Sequence, residues 1–241
     1  MKQPVALVTG GARGIGSAIV RQLSAQGFAV AVHYRHSQTQ AQALAAELPA
    51  AITVCANVAE QTQVQVMFTQ VQQQLGTVSV LVNNAGIAQQ KLITDITEAE
   101  WDAMFATNVK SMFLCCKQAL PAMISAKTGK IINISSMWGQ TGASCEVHYS
   151  AAKAAVHGFT KALAKEVAPS GIQVNCIAPG VITTDMNRTL SPQTLAQLQE
   201  ETPLGRLGSP QDIAAMAGFL ASNSADFITG QIFGVNGGMV I

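Results

Sequence analysis

The chain contains 241 residues, of which 49% are hydrophobic and 11% are charged, and its formal net charge is +1. This hydrophobic fraction excludes a disordered protein, and the near-neutral charge argues against a nucleic-acid binder, which needs a clustered basic surface. No apolar run approaches the roughly 20 residues of a membrane-spanning helix. The first residues enter a strand-like run without a cleavable signal pattern, so we expect a cytoplasmic protein without nucleic-acid or membrane partners.

The five cysteines and four histidines do not indicate a disulfide framework or a metal site. The number of cysteines is odd, and no C-x-x-C pair occurs among them. Small buried hydrophobic side chains are the simplest interpretation of the cysteines. The histidines lack metal-ligand spacing, so we predict no bound metal.

Strand-like and helix-like segments alternate along the chain. Residues 5–9 form the first predicted strand and residues 17–25 the first helix, and residues 41–48 and 63–75 also have helical spacing. The strands are continuously apolar, which is typical of a parallel sheet buried on both faces. The further predicted strands cover residues 29–34, 52–56, 80–83, 131–135, 173–177 and 231–235.

This order predicts an α/β fold of the Rossmann type: a doubly wound, parallel seven-stranded sheet with helices on both faces. No linker, repeat or change in composition divides the chain, so we expect residues 1–241 to form a single dinucleotide-binding catalytic domain. The segment 183–210 is rich in Thr, Ser, Pro and Gly and is too long for an ordinary connection. We predict a mobile loop or small helical lid over the substrate there.

A glycine-rich turn follows the first predicted strand. Residues 9–16 read T-G-x-x-x-G-x-G, with glycines at Gly10, Gly14 and Gly16, and a helix follows. Such a turn lets the backbone approach a pyrophosphate, and the helix N-terminus supplies free N–H groups. A merely tight turn is the alternative interpretation, and the surrounding strand and helix favour phosphate binding.

The end of the second predicted strand bears on cofactor choice. An NAD-binding unit usually has an acidic residue there to hold the ribose hydroxyls. Here the run is His33-Tyr34-Arg35-His36. Arg13 and Arg35 can both reach a 2′-phosphate, which favours NADP(H), although Arg35 can also be read as a solvated loop residue.

Three polar residues suggest proton transfer. Ser136 follows the fifth predicted strand, and Tyr149 and Lys153 are one helical turn apart on the same face. An ammonium at ~5 Å, with an effective dielectric of ~20, favours the phenolate by roughly 3 kcal/mol. We therefore expect the Tyr149 pKa to fall by about two units toward working pH. The alternative is that Tyr149 packs in the core and Lys153 extends past it to solvent. The serine at the end of the fifth strand and the glycine-rich turn upstream favour the catalytic interpretation instead.

With these motifs in order, the chain resembles the short-chain dehydrogenase/reductase superfamily over nearly its whole length. It is most similar to the bacterial 3-oxoacyl-[acyl-carrier-protein] reductases, through residues 107–109, 178–186, 205–208 and 235–238. The motifs that carry the resemblance are residues 9–16, Asn83-Asn84-Ala85-Gly86, Asn108, Ser136, Tyr149 with Lys153, and Pro179-Gly180.

The resemblance implies specific roles. Tyr149 gives a proton to the carbonyl oxygen, Ser136 holds that oxygen, and Lys153 holds the nicotinamide ribose. Asn108 supports a water-linked proton relay behind Lys153. The implied cofactor-binding residues are Gly10, Ala12, Arg13, Gly14, Ile15, Gly16, Arg35, Asn57, Val58, Asn84, Ala85, Gly86, Tyr149, Lys153, Pro179, Gly180, Ile182 and Thr184.

The substrate is less well determined than the chemistry. The resemblance implies an acidic acyl carrier protein that docks on basic residues beside the cleft, and Lys127 and Lys130 are the candidates. Ser170 stands where close relatives often have a basic residue, which departs from that pattern. Met137 and Trp138 either wall an acyl pocket or pack in the core.

The motifs are consistent with three functions. The first is NADPH-dependent reduction of a carrier-bound 3-oxoacyl thioester in fatty-acid or related synthesis. The second is a reductase or dehydrogenase of an acyl-CoA, sugar or other free alcohol or ketone, and the third is a non-catalytic NADP-binding protein. The intact Ser136, Tyr149 and Lys153 set argues against the third. The resemblance also implies a homotetramer.

Overall fold

The computed structural model describes residues 3–184 and 191–241 of the chain. Seven parallel strands form one sheet in the order β3-β2-β1-β4-β5-β6-β7. This confirms the predicted fold class. The strands are β1 (Val5–Val8), β2 (Ala29–Tyr34), β3 (Ala51–Cys55), β4 (Val78–Asn83), β5 (Gly129–Ile134), β6 (Ile172–Pro179) and β7 (Ile232–Val235).

Helices cover both faces of this sheet. Among the described residues they are α1 (Gly14–Ala25), α2 (Gln38–Ala46), α3 (Gln61–Gln74), α4 (Glu98–Phe105), α5 (Ser111–Ala126), α6 (Trp138–Thr141), α7 (Val147–Val167), α8 (Pro192–Glu201) and α9 (Pro210–Ala221). A π-helical stretch, Ala106–Lys110, joins α4 to α5. Part of the predicted lid, residues 185–190, lies outside the described residues, and α8 lies within it.

Alternation along each strand explains why the strands are apolar throughout. In β1, Val5 and Leu7 join a hydrophobic cluster with α3, α5 and α7. Ala6 and Val8 point to the opposite face, where α1, α2 and α9 pack. Because both faces of the strand are buried, neither can carry polar residues, as expected for a parallel sheet.

The chain reverses its direction of winding between β1 and β4. These strands are hydrogen-bonded neighbours at the centre of the sheet. On one side of β1 the sheet continues with β2 and then β3. On the other side it continues with β4, β5, β6 and β7. Open α/β sheets bind ligands at the carboxyl edge of such a switch point. A ligand-binding site is therefore expected among the loops that follow β1, β4 and β5.

The described residues contain neither a membrane-spanning helix nor a group of metal ligands. No helix in residues 3–184 and 191–241 is long and apolar enough to cross a bilayer. Across those same ranges, no three His, Cys, Asp or Glu side chains are grouped as metal ligands would be. The thiols of Cys116 and Cys176 are buried, and burial raises the pKa of each to about 12.

Candidate active site

The glycine-rich turn after β1 leaves a helix N-terminus without a side-chain cap. Gly10 and Gly14 have φ angles of +62° and +50°, a conformation that L side chains rarely adopt. A Cβ atom on Gly16 would lie 2.1 Å from the carbonyl oxygen of Gly10. Arg13 caps α1 without a side-chain hydrogen bond, and the first turn contains no acidic residue. These backbone N–H groups and the helix dipole suit the diphosphate of a dinucleotide.

Thr9 and Asn84 hold this turn against the loop after β4. The Thr9 hydroxyl accepts hydrogen bonds from the backbone N–H groups of Asn84 and Ala85, at 2.9 and 3.0 Å. In return, Asn84 Nδ2 donates to the carbonyl oxygens of Thr9 and Gly10, at 3.0 and 3.1 Å. Thr9 was not among the expected site residues, and its position at the carboxyl end of β1 was the available signal.

His33 fixes the other side of the turn. Its Nδ1 accepts a hydrogen bond from the Gly10 N–H at 2.9 Å, so Nε2 carries the proton and donates to the Ala56 carbonyl at 3.0 Å. The side chain is 2% exposed, and burial lowers the pKa of His33 to about 4. This neutral imidazole bridges the turn after β1 to the end of β3. Sequence reasoning missed it, although a polar residue in an otherwise apolar strand was a signal.

Four of the residues predicted to bind the adenosine half of the cofactor follow the carboxyl ends of β1, β2 and β3: Arg13, Arg35, Asn57 and Val58. The Arg13 and Arg35 side chains are exposed. Val58 is buried, and the Asn57 N–H donates to Gln63 Oε1 on α3 at 2.7 Å, which ties the loop after β3 to that helix. Both arginine side chains are thus open to solvent, while the backbone N–H of Asn57 is held by α3.

Ser136, Tyr149 and Lys153 meet at the carboxyl end of β5. The Ser136 and Tyr149 side chains are neighbours, and the interaction with Ser136 lowers the pKa of the Tyr149 phenol. Lys153 Nζ lies 5.7 Å from the centre of the Tyr149 ring and donates to the Ile134 carbonyl at 3.0 Å. Ser135 donates to the Lys153 carbonyl at 2.9 Å and so ties α7 to the strand end. The sheet and α7 together bring two hydroxyls and an ammonium to one place.

Burial controls the protonation of Tyr149 and Lys153. The prediction that the Tyr149 pKa falls was wrong in direction, because the structure raises it. The pKa of Tyr149 is raised to about 12, chiefly by burial and also by the Glu146 carboxylate, while the Ser136 hydrogen bond lowers it. Burial lowers the pKa of Lys153 to about 8. The desolvation of Tyr149 outweighs the attraction of Lys153, whose Nζ is held by a backbone carbonyl. Tyr149 is therefore a protonated phenol at neutral pH.

Asn108 lies in the π-helical stretch and holds the loop after β4. Its Nδ2 donates to the carbonyls of Ile87 and Met104, both at 3.0 Å, and its Oδ1 accepts from the Ile87 N–H at 3.3 Å. A Cβ atom on Gly86 would lie 2.6 Å from Asn108 Oδ1 and 3.5 Å from Lys153 Nζ. Asn108, Gly86 and Lys153 are thus immediate neighbours, and π-bulges of this kind are frequent at functional sites.

The segment after β6 completes the cleft. The Pro179 carbonyl accepts a hydrogen bond from Met137 N–H at 2.9 Å. A Cβ atom on Gly180 would lie 2.7 Å from the Cα of Asn236, so this position requires a glycine. Ile182 is buried, and Thr184 Cγ2 lies 3.4 Å from where a Cβ on Gly14 would be. Asp185 and Met186, part of the motif noted in the sequence, lie outside the described residues.

A family model described as enoyl-(acyl carrier protein) reductase matches residues 10–240. The chain belongs to the short-chain dehydrogenase/reductase family. It is thus an oxidoreductase with a nicotinamide cofactor, and the open α1 N-terminus and glycine-rich turn described above fit the diphosphate of that cofactor.

Two curated members of the short-chain dehydrogenase/reductase family illustrate the similarity. The chain is 44% identical over 238 residues to the 3-oxoacyl-[acyl-carrier-protein] reductase FabG of Staphylococcus aureus, covering 97% of each chain. It is 43% identical to the 3-oxoacyl-[acyl-carrier-protein] reductase of Synechocystis sp., covering 98% of this chain and 97% of the other.

A solved structure supports the fold assignment. A protein from Agrobacterium tumefaciens, provisionally assigned as a gluconate dehydrogenase, superposes with a TM-score of 0.95. It is 33% identical in sequence, and the match covers 100% of this chain and 98% of that one. This short-chain dehydrogenase/reductase therefore shares its whole described fold with relatives whose names indicate different substrates.

Lys127 and Lys130 were predicted to lie beside the cleft and to receive the carrier protein. Within one protomer this position is wrong. Lys130 is the second residue of β5, at the amino edge of the sheet, whereas Ser136 follows the carboxyl end of that strand. Its Nζ forms an ion pair with Asp226 at 2.7 Å and donates to the Ser222 carbonyl at 2.9 Å. Lys127 ends α5 at the same edge and is exposed. Neither lysine lies beside this protomer's own cleft, because the two ends of a parallel strand face opposite edges.

The two residues after Ser136 differ in their surroundings. Met137 is 1% exposed, which makes it a core residue rather than a pocket wall. Trp138 is partly exposed and begins α6, and its N–H donates to the Ser136 hydroxyl at 3.2 Å. Of the two, only Trp138 is open to contact with a ligand beside Ser136.

Proposed function

We propose that this short-chain dehydrogenase/reductase reduces a 3-oxoacyl thioester carried by acyl carrier protein to the 3-hydroxyacyl thioester, in fatty-acid or related acyl-chain synthesis. The observation that carries the proposal is the placement of the neighbouring Ser136 and Tyr149 hydroxyls beside Lys153, on the same sheet edge as the glycine-rich turn. Two hydroxyl donors directed at one point suit a carbonyl oxygen that becomes an alkoxide. Relatives 43% and 44% identical are named for this reaction.

The chain's own groups account for proton delivery. Tyr149 donates its phenolic proton to the carbonyl oxygen; with a pKa of about 12, the phenol carries that proton at neutral pH. Ser136 donates a hydrogen bond to the same oxygen and fixes its position. Lys153 holds the nicotinamide ribose, and Asn108 supports the water-linked relay that returns a proton to Tyr149. The bound nicotinamide supplies the hydride that reaches the carbonyl carbon.

The proposed cofactor is NADP(H). Arg13 precedes α1 and Arg35 follows β2, so both exposed residues come after the carboxyl ends of neighbouring parallel strands, and the run His33-Tyr34-Arg35-His36 contains no acidic residue. A 2′-phosphate carries the negative charge that two guanidinium groups recognise through charge-assisted hydrogen bonds. A ribose with free hydroxyls would find no carboxylate in that run to accept its hydrogen bonds.

A substrate panel tests the proposal directly. NADPH oxidation is followed with acetoacetyl-acyl-carrier-protein, acetoacetyl-CoA, a simple ketone, a keto-gluconate and an enoyl thioester. We expect the highest kcat/KM with the carrier-bound 3-oxoacyl thioester. Preference for the keto-sugar would favour the second function, to which the similarity with the gluconate dehydrogenase points. Preference for the enoyl thioester, or binding of NADPH without any turnover, would also overturn the proposal.

We further propose a cytoplasmic homotetramer. Phe113 and Ile124 on α5, and Phe227 and Ile241 near the C-terminus, are large apolar side chains exposed in the single chain. Two separate apolar regions on one protomer are what two sets of symmetric contacts require. Sedimentation at micromolar concentration should give four chains per particle, and a monomer would contradict this.

Within such an assembly, Lys127 is the remaining candidate for contact with an acidic carrier. It is exposed, whereas Lys130 is already neutralised by Asp226. Because Lys127 lies at the amino edge of the sheet, a carrier held there would deliver its acyl group to the cleft of a different subunit.

A further inference from the structure

Three consecutive residues after β4 are bonded to the segment that leads into α7. The N–H of Lys91 donates to the Cys145 carbonyl at 2.7 Å, and Gln90 Nε2 donates to Glu146 Oε1 at 3.1 Å. The third contact joins Gln89 to His148 Nε2 at 3.0 Å. We name residues 89–91 the clamp segment. Each of its residues contacts a residue within the four positions that precede Tyr149.

The clamp segment is itself anchored on α4. Gln89 Nε2 donates to Glu100 Oε1 at 2.8 Å, and Lys91 Nζ pairs with both oxygens of that carboxylate at 2.8 Å. Glu100 also accepts from the N–H and hydroxyl of Thr97, completing the capping box that begins α4. The Glu100 carboxylate therefore has a fixed position, and these hydrogen bonds hold its pKa well below the usual range.

This anchoring determines which ring nitrogen of His148 carries the proton. Because Glu100 can only accept, the amide nitrogen of Gln89 must face it, and Gln89 Oε1 must face His148. His148 Nε2 is then the donor, which leaves the lone pair on Nδ1. The imidazole is 0% exposed, and among the described residues Nδ1 has no hydrogen-bond partner. Its single polar contact within the described structure is thus the one to the clamp segment.

The attachment point is directly next to the catalytic phenol. His148 is the second residue of α7, and Tyr149 follows it on the same first turn. Cys145 has a φ angle of +61°, a left-handed conformation that costs energy for a non-glycine residue. The Lys91 N–H bond to the Cys145 carbonyl holds that strained residue in place. The start of α7 is therefore held by the clamp segment, in addition to the hydrogen bond that ties Lys153 to the end of β5.

We propose that Gln89 and His148 are positioning residues that hold the Tyr149 hydroxyl in line with the reacting carbonyl. This inference rests on the proposed function, since it concerns the proton donor of that reaction. Neither residue touches the reacting atoms. They act through the first turn of α7, where a displacement of about 1 Å can cost about 100-fold in rate.

Substitutions at His148 separate positioning from packing. Glutamine places an amide nitrogen near the location of Nε2, whereas asparagine is too short and leucine has no donor. We expect His148→Leu and His148→Asn to lower kcat about 10- to 100-fold, with KM and the NADPH Kd unchanged within about threefold. His148→Gln should recover most of the lost kcat. A role in packing alone predicts the reverse order, with leucine tolerated best.

Gln89→Leu tests the same contact from the other side, and Gln65→Leu on the exposed face of α3 is the matched control. Gln89→Leu should lower kcat at least as much as His148→Leu, since it also removes the hydrogen bond to Glu100. The double variant should be no worse than Gln89→Leu alone, because both changes break the same contact between Gln89 and His148. Gln65→Leu should leave kcat unchanged. If a His148 variant fails to fold, the Gln89 variant still decides the question.

Amide hydrogen exchange of the peptide covering residues 147–153 gives a readout that needs no turnover. It should exchange faster in His148→Leu and Gln89→Leu, and at the wild-type rate in His148→Gln and Gln65→Leu. Full kcat in the leucine variants, or unchanged exchange, would overturn the inference. A wild-type protein that reduces no carbonyl but shows this exchange pattern would refute the proposed reaction while leaving the clamp segment in place.

Discussion

Burial governs the acidity of the two ionisable side chains nearest the reaction centre. It raises the pKa of the Tyr149 phenol to about 12 and lowers that of the Lys153 ammonium to about 8. Both shifts favour the neutral form of the group, as desolvation does. Near neutral pH Tyr149 therefore carries the proton to be donated, as an unshifted phenol also would, and the higher pKa makes it a weaker acid in the ligand-free protein.

Tyr149→Phe should remove proton donation while leaving cofactor binding intact. We expect kcat for the 3-oxoacyl thioester to fall by about 100- to 10,000-fold, the range that general acid catalysis supplies. The NADPH Kd, measured by nucleotide fluorescence, should change by less than about threefold. Retained turnover in this variant would show that another group delivers the proton.

Arg35→Ala should change cofactor preference rather than catalysis. Removing a charge-assisted contact to the 2′-phosphate should raise KM for NADPH by about tenfold or more, while KM for NADH and kcat stay nearly constant. Steady-state kinetics with both cofactors measures this. An equal change for the two nucleotides would contradict the assignment of NADP(H).

The turn between β1 and α1 depends on glycine for two separate reasons. Gly10 and Gly14 adopt left-handed φ angles, whereas Gly16 is needed for close packing between the helix and the turn. Thr9, Asn84 and His33 then bond to the same turn from both sides. These hydrogen bonds hold the turn in the absence of any ligand, which would lower the entropy lost if a cofactor phosphate binds there.

Gly16→Ala should damage this element. Its Cβ would lie 2.1 Å from Gly10 O and 2.7 Å from Asn84 Nδ2, and both atoms are held by other contacts. We expect a stability loss of about 1–3 kcal/mol by urea unfolding, together with weaker NADPH binding. Arg21→Ala is the control in the same helix: it removes an exposed ion pair with Glu47, so it should cost less than about 1 kcal/mol and leave binding unchanged.

At the scale of the whole molecule, the three strands β1, β2 and β3 are joined by one buried imidazole. His33 accepts from the turn after β1 and donates to the residue after β3, so its neutral form is built into the fold. A proton on Nδ1 would break the first hydrogen bond and place a charge in the core. The folded state therefore resists protonation of His33 until about pH 4.

This depressed pKa predicts acid sensitivity. Below pH 6.5 the unfolded chain binds a proton at His33 that the folded protein does not take up until about pH 4. Unfolding is therefore favoured as the pH falls through this window, by about 3 kcal/mol in total. Urea unfolding at several pH values checks the slope against His33→Asn, which lacks the titrating group. If the difference between the two proteins were constant from pH 6.5 to 4, the shift would be disproved.

The amino-acid order by itself determined the fold class, the glycine-rich turn and the grouping of Ser136, Tyr149 and Lys153. These follow from local periodicity, from the ends of apolar strands and from residues one helical turn apart, all of which are short-range properties of a chain. The strand boundaries differed only at their ends; β4, for example, begins at Val78 rather than at residue 80.

Only the tertiary structure decided the contacts between residues far apart in sequence. The bond between His33 and Gly10, the clamp between Gln89 and His148, and the placement of Lys130 at the amino edge of the sheet all depend on which strands are neighbours. The direction of the Tyr149 pKa shift also belongs here, because desolvation depends on how the surrounding elements pack. Spacing along a chain can place a charge beside a phenol, but the loss of water around both is a property of the folded molecule.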